Sequence, residues 1–116
     1  MPVLVVTSTG RRTGRARVTP IAYWPYRDGW TVIATNAGSD RHPGWVHNLR
    51  ADPACTVEVG GRRIASRARE AVGSERAEIW SEMVTHCPRY DVLAEEASVR
   101  QVPVVVFEPA VDTIGG

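Results

Sequence analysis

Residues 55–72 read CTVEV-GG-RRIASRAREAV, two alternating runs on either side of a Gly-Gly pair. A period of two sends successive side chains to opposite faces of a strand, and paired glycines supply the left-handed backbone of a tight hairpin turn. The chain therefore commits to antiparallel sheet at its centre. Arg63, Arg67 and Arg69 alternate onto one face of the second strand, which reads as a solvated sheet face. The same pattern recurs on either side. Residues 3–8 form a β-branched run ending in hydroxyls, 10–14 a Gly-bounded turn, and 16–24 a second strand. In that strand Arg17, Thr19, Ile21 and Tyr23 share one face with Arg15, and Val18, Pro20, Ala22 and Trp24 take the other. Pro20 cannot donate to a ladder, so the strand belongs at an edge or carries a bulge. YRDG at 26–29 turns into a third strand over 30–35, and VPVVVFEP at 102–109 is apolar throughout, as a central strand is.

Helices interrupt this order in three places. Pro43 can open a helix over 45–51, which Asp52-Pro53 ends. Ser74 is placed to cap a second helix, whose apolar stripe is Trp80, Met83, Val84 and Cys87 and which Pro88 stops. Residues 91–98 form another short one. About six antiparallel strands with three short helices argue for a small, mainly β domain, a barrel with helices packed outside it, and against a doubly wound sheet. Residues 1–116 are expected to make a single domain.

Composition narrows the function classes. The formal net charge is +1, which gives no general reason to expect a nucleic-acid partner; an anion site has to be local. No stretch has the length of a membrane span, and no secretory signal opens the chain, so a cytoplasmic location is expected. Cys55 and Cys87 form no CxxC pair and read as small hydrophobes. His42, His47 and His86 fit no metal-ligand spacing, so no metal is expected.

Against this background STGRRTGRARVTP, residues 8–20, is unusual. Arg11, Arg12, Arg15 and Arg17 fall within seven residues of a nearly neutral chain. Glycine admits close approach of a ligand to the backbone, and arginine binds phosphate or carboxylate in a bidentate fork. The spacing is neither GxxxxGK[ST] nor GxGxxG. Two readings stand: a solvated arginine-rich hairpin, or a site for an extended ligand with several negative groups. No GxSxG elbow and no carboxylate pair framing a cleft appears, so any chemistry belongs to a bound cofactor.

The segments TSTGRRTGRARVTP, DGWTVIATNAG, HPGWVHNLRADPACTVEVGG and PVVVFEP, in this order over nearly the whole chain, closely resemble the deazaflavin (coenzyme F420)-dependent nitroreductase family of actinobacteria. The resemblance implies a split β-barrel, of the kind that also binds FMN, holding F420, whose tail carries a phosphate and an oligoglutamate. It places Arg11, Arg12 and Arg17 at cationic tail-binding positions and Arg15 at a variable one. The turn residues Gly10, Thr13 and Gly14, with Thr9 and Thr19 beside them, and the segment Thr35, Asn36, Ala37 and Gly38 would line the cofactor. Pro43 and Trp45 fall where a helix begins beside it, and Tyr90 where an aromatic side chain faces the substrate. The implied reaction moves hydride from reduced F420 to a quinone, nitro-compound or activated enone, with the proton coming from Tyr90 or solvent. An FMN-dependent oxidoreductase on the same barrel and a non-catalytic F420 carrier are the alternatives, and either a monomer or a homodimer is compatible. The chain departs from relatives at Arg12, where lysine is frequent, at Asn36–Gly38, where KGG is frequent, and at Ala22, where an aromatic occurs. Relatives usually carry a further N-terminal segment before the first strand, so a more open acceptor pocket is expected here.

Overall fold

The computed structural model describes residues 2–96 and 101–110. Seven strands form one sheet: β1 (Val3–Thr9), β2 (Ala16–Ala22), β3 (Trp24–Tyr26), β4 (Gly29–Ile33), β5 (Ala54–Val59), β6 (Arg62–Glu70) and β7 (Val104–Pro109). Three helices, α1 (Gly44–Ala51), α2 (Gly73–His86) and α3 (Arg89–Glu96), pack on it, and a single 3-10 turn spans Asn36–Gly38. The strand order is β2-β1-β5-β6-β7-β4-β3, and every pairing is antiparallel.

The residues expected to make one second strand make two. Ala22 pairs with Val3 of β1, whereas Trp24 pairs with Thr31 of β4, at the opposite end of the strand order. Tyr23 alone separates them, and its N–H donates to the Pro2 carbonyl at 3.1 Å. One residue moves the chain only a few ångströms. The two ends of the sheet must therefore lie side by side, which rolls it into a barrel. No ladder joins β2 to β3 among the described residues, so the barrel is split at that seam. Pro20 sits on β2, an edge strand, where its missing N–H is harmless.

Rolling the sheet creates two apolar regions. Leu4 and Val6 of β1, Val32, Val57, Val105 and Phe107 form the first, together with Trp45, Val46 and Leu49 of α1. Ile33, Val104 and Val106 face the other way and meet Ile79 and Met83 of α2 and Tyr90 of α3. The interior strand β7 thus buries both faces, which explains why its sequence is continuously rather than alternately apolar. Helix α2 starts one residue before Ser74; Val72 occupies the N-cap position and no side chain caps the helix. Ile79 joins Met83 as its buried residues, while Trp80, Val84 and Cys87 are only partly buried. Helix α3 begins two residues earlier than expected, and residue 98, its expected end, lies outside the described residues. Cys55 and Cys87 are free and partly buried; burial pushes the Cys55 thiol up to about 11, leaving it protonated and inert at neutral pH.

Candidate functional site: an arginine-walled cleft

The β1–β2 connection is a closed loop. The Gly10 N–H donates to the Arg15 carbonyl at 2.7 Å, and the Gly14 N–H to the Gly10 carbonyl at 2.8 Å. Gly14 has φ +70°, a conformation that costs other residues strain. A Cβ at Gly10 would stand 3.0 Å from Thr13 Oγ1 and 3.1 Å from the Arg15 carbonyl, so a larger residue here would push the loop outward by a few tenths of an ångström. This geometry presents Arg11 and Arg12 from the loop and Arg17 from the adjoining strand. Arg11 is further fixed by α1: Asn48, only 6% exposed, accepts through Oδ1 from the Arg11 backbone N–H at 3.1 Å and from its Nη1 at 3.4 Å.

The loop forms one wall of a cleft of about 780 Å³. Gly10, Arg11, Arg12, Thr13, Arg17 and Thr19 stand on that side. Asn36, Ser39, Arg41, His42, Pro43 and Trp45 line the remainder, joined by Ala16, Val18, Gly44 and Asn48. Four of these residues are arginines and none is a carboxylate. Elsewhere three arginines meet carboxylates, while Arg27, Arg62, Arg67, Arg76 and Arg89 make no ion pair among the described residues. Arg50 meets Glu70 at 2.7 Å, Arg63 meets Glu58 at 3.3 Å, and Arg69 meets Glu75 at 2.6 Å and Glu108 at 2.9 Å. No carboxylate of the described residues pairs with Arg11, Arg12, Arg15, Arg17 or Arg41. A nearly neutral molecule has thus gathered unneutralised positive charge on one concave surface, which attracts a polyanion from solution.

The cleft brings together nine of the residues singled out in the sequence: Gly10, Arg11, Arg12, Thr13, Arg17, Thr19, Asn36, Pro43 and Trp45. Thr9, Gly14, Thr35, Ala37 and Gly38 flank it in the chain without forming its wall. Thr35 is buried, and Asn36, Ala37 and Gly38 all have positive φ, at 48°, 54° and 81°. Tyr90, expected to face the acceptor, is not part of this cleft wall. It is 7% exposed and packs with the second apolar region, because α3 turns that side chain towards α2 and β7. Burial raises its phenol above the usual range, which weakens it as an acid. Asn48 and Arg41 were not singled out in the sequence, and His42 only as a histidine outside any metal-ligand spacing. Asn48 had a visible signal, a polar residue three positions after Trp45 and therefore on the same helical face. His42 and His47, five apart in sequence, lie with ring centroids 5.8 Å apart, but no group of three or more metal-ligating side chains occurs among the described residues.

A split barrel with an arginine-walled, carboxylate-free cleft defines a class: small β-barrel proteins built to hold a polyanionic cofactor. The family model of the F420H(2)-dependent quinone reductases matches residues 1–109, and the chain belongs to that family. It is 32% identical over 109 residues to an F420H(2)-dependent quinone reductase of Mycobacterium tuberculosis, covering 91% of this chain and 72% of the relative. Among solved structures it is similar to the F420-H2-dependent reductase FDR-A, with a TM-score of 0.81 and 29% identity over 92% of this chain and 94% of that one. It is also similar to a protein solved as a domain-swapped dimer, with a TM-score of 0.82 and 29% identity over 92% of this chain and 80% of that one. The chain is an F420-dependent oxidoreductase of the quinone reductase type, and coenzyme F420 is its cofactor. Among the described residues no helix is long and apolar enough to cross a membrane.

Proposed function

We propose that residues 1–116 act as one F420-binding domain that passes hydride to an electron-poor, flat acceptor, a quinone foremost and nitroaromatics or activated enones besides. The observation that carries this reading is the cleft with four arginines and no carboxylate. The residues present suit the cofactor: a tail with a phosphate and several carboxylates is the ligand that such a wall neutralises. Arg11, Arg12 and Arg17 hold the tail, with Arg11 aimed by Asn48. Gly10 lets the loop close tightly and so sets the place of the arginines. Pro43 and Trp45 provide the apolar part of the wall and exclude water from the reacting centre. When bound, the reduced deazaflavin supplies a hydride from its C5 carbon. Protons come from solvent, since Tyr90 lies within a packed core region. A cytoplasmic site of action and a monomer or homodimer fit this role.

The test is parallel titration of the purified protein with F420, FMN and NADPH, followed by turnover of reduced F420 with menadione, a nitroaromatic and an enone. F420 should bind more tightly than FMN or NADPH, and menadione should be reduced above the protein-free rate. Stoichiometric FMN in the purified protein with no F420 binding overturns the cofactor assignment. Tight F420 binding without turnover on any acceptor makes the protein a carrier.

A further inference from the structure

The cations of the cleft come from two separate parts of the chain. Arg11, Arg12 and Arg17 belong to the β1–β2 hairpin, whereas Arg41 stands on the loop between the 3-10 turn and α1. That loop is anchored around residue 41. Asn36 Nδ2 donates to the Arg41 carbonyl at 2.9 Å, and the Arg41 N–H donates to Ser39 Oγ at 3.2 Å. Both backbone polar groups of Arg41 are therefore held by side chains that line the same cleft. Asn36 makes its bond from a left-handed conformation, φ 48°, in a turn with three consecutive positive φ values. Such conformations persist where surrounding contacts require them, and they concentrate at ligand sites. Arg41 makes no ion pair among the described residues, although Asp40 is its immediate neighbour.

We propose that Arg41 is a fourth cofactor-binding arginine that contacts the acidic tail of F420 from outside the hairpin, and that Asn36 is the positioning residue that holds it there. The tail is then gripped by two elements rather than one, and the strained turn is maintained because it sets the place of Arg41. The inference rests on the assignment of the cleft to the F420 tail.

The experiment is equilibrium titration of Arg41→Ala, Arg41→Lys, Asn36→Ala and the double variant with F420, read by deazaflavin fluorescence over a range of salt concentrations. Arg11→Ala and Arg17→Ala serve as references, and Arg50→Ala, ion-paired to Glu70, controls for net charge. Losing one charge-assisted contact should weaken binding about 10-fold in Arg41→Ala and flatten its salt dependence. Arg41→Lys should recover part of the affinity, because it keeps charge without the fork. Asn36→Ala should weaken binding less, and the double variant should bind no worse than Arg41→Ala, because Asn36 acts only through Arg41. Arg50→Ala should bind like the parent. If Arg41→Ala also binds like the parent while Arg11→Ala is impaired, the inference is wrong and the cleft assignment survives. If none of the cleft variants is impaired, both are wrong. A double variant markedly weaker than Arg41→Ala overturns the positioning role of Asn36.

Discussion

The functional surface depends on a few residues whose conformations are unusual and whose contacts are specific. Arg11 is the clearest case, since Asn48 holds both its backbone and its guanidinium. Replacing Arg11 or Arg17 with alanine should each remove a charge-assisted contact of about 1.5–3 kcal/mol, weakening F420 binding on the order of 10- to 100-fold in a fluorescence titration. Parent-like affinity in both variants would mean that the hairpin is merely solvated. Ala37 has φ 54° and gains nothing evident from its methyl group. Ala37→Gly should therefore raise stability by about 1 kcal/mol, seen as a higher urea midpoint at unchanged m. Tyr90 is a packing residue by its surroundings. Tyr90→Ala should cost about 3–5 kcal/mol of stability, as the loss of a large buried aromatic does, whereas Tyr90→Phe should keep turnover near that of the parent. A large loss of turnover in Tyr90→Phe at parental F420 affinity would return the hydroxyl to the reaction.

Among the elements, the ion network between β3, β6, α2 and β7 locks the helical side of the barrel. Arg69 joins Glu75 and Glu108, and Tyr26 donates its hydroxyl to Glu75 at 2.7 Å. The Arg69 guanidinium, and then the Tyr26 hydroxyl, hold the Glu75 carboxyl down to about 2. A depressed carboxylate stabilises the fold above its unfolded pKa and ceases to do so as pH falls through its folded value. The network's contribution should therefore be intact above about pH 4.5 and fade between there and pH 2. Denaturant titrations across that window should show the parent losing stability more steeply than Glu75→Gln; parallel curves would mean that solvent screens the network completely. Helix α3 has a second role at this scale. It lies against the 3-10 turn so closely that a Cβ on Gly38, at φ +81°, would collide with Glu96. The hairpin of residues 55–72 and the β1–β2 hairpin were legible in the sequence because their partners are local. The boundary at Tyr23 was not, because residues 16–24 read as one continuous strand and only the competing pairings with β1 and β4 divide them.

For the molecule as a whole, charge is distributed unevenly: the formal total is +1, yet the cleft alone carries four arginines. Association with F420 should be steered by that local field and should weaken as ionic strength rises through the range where the screening length falls below about 10 Å. Measured affinities at low and high salt check this, and salt-independent binding would exclude tail recognition by exposed arginines. Barrel closure is what creates the field. It brings the β1–β2 loop, the 36–43 segment and the N-terminal end of α1 to one cleft, although Arg11 and Asn48 are 37 residues apart.

The sequence by itself determined the antiparallel hairpins, the apolar interior strand, the density of arginine after β1 and the motifs that carry the family, since each is encoded over a short span by period, turn chemistry or residue type. Tertiary structure alone decided which arginines meet carboxylates and which unpaired ones line the cleft. Arg50, Arg63 and Arg69 have carboxylate partners 20, 5 and 6 residues away, with Glu108 a further partner of Arg69 at 39, whereas among the described residues no such partner reaches Arg11, Arg12, Arg17 or Arg41. It also decided that Tyr90 is buried and that Arg41 shares a cleft with the hairpin. The reason is physical: alternation and spacing fix the direction of a side chain within its own element, but its neighbours are set when elements distant in sequence pack together.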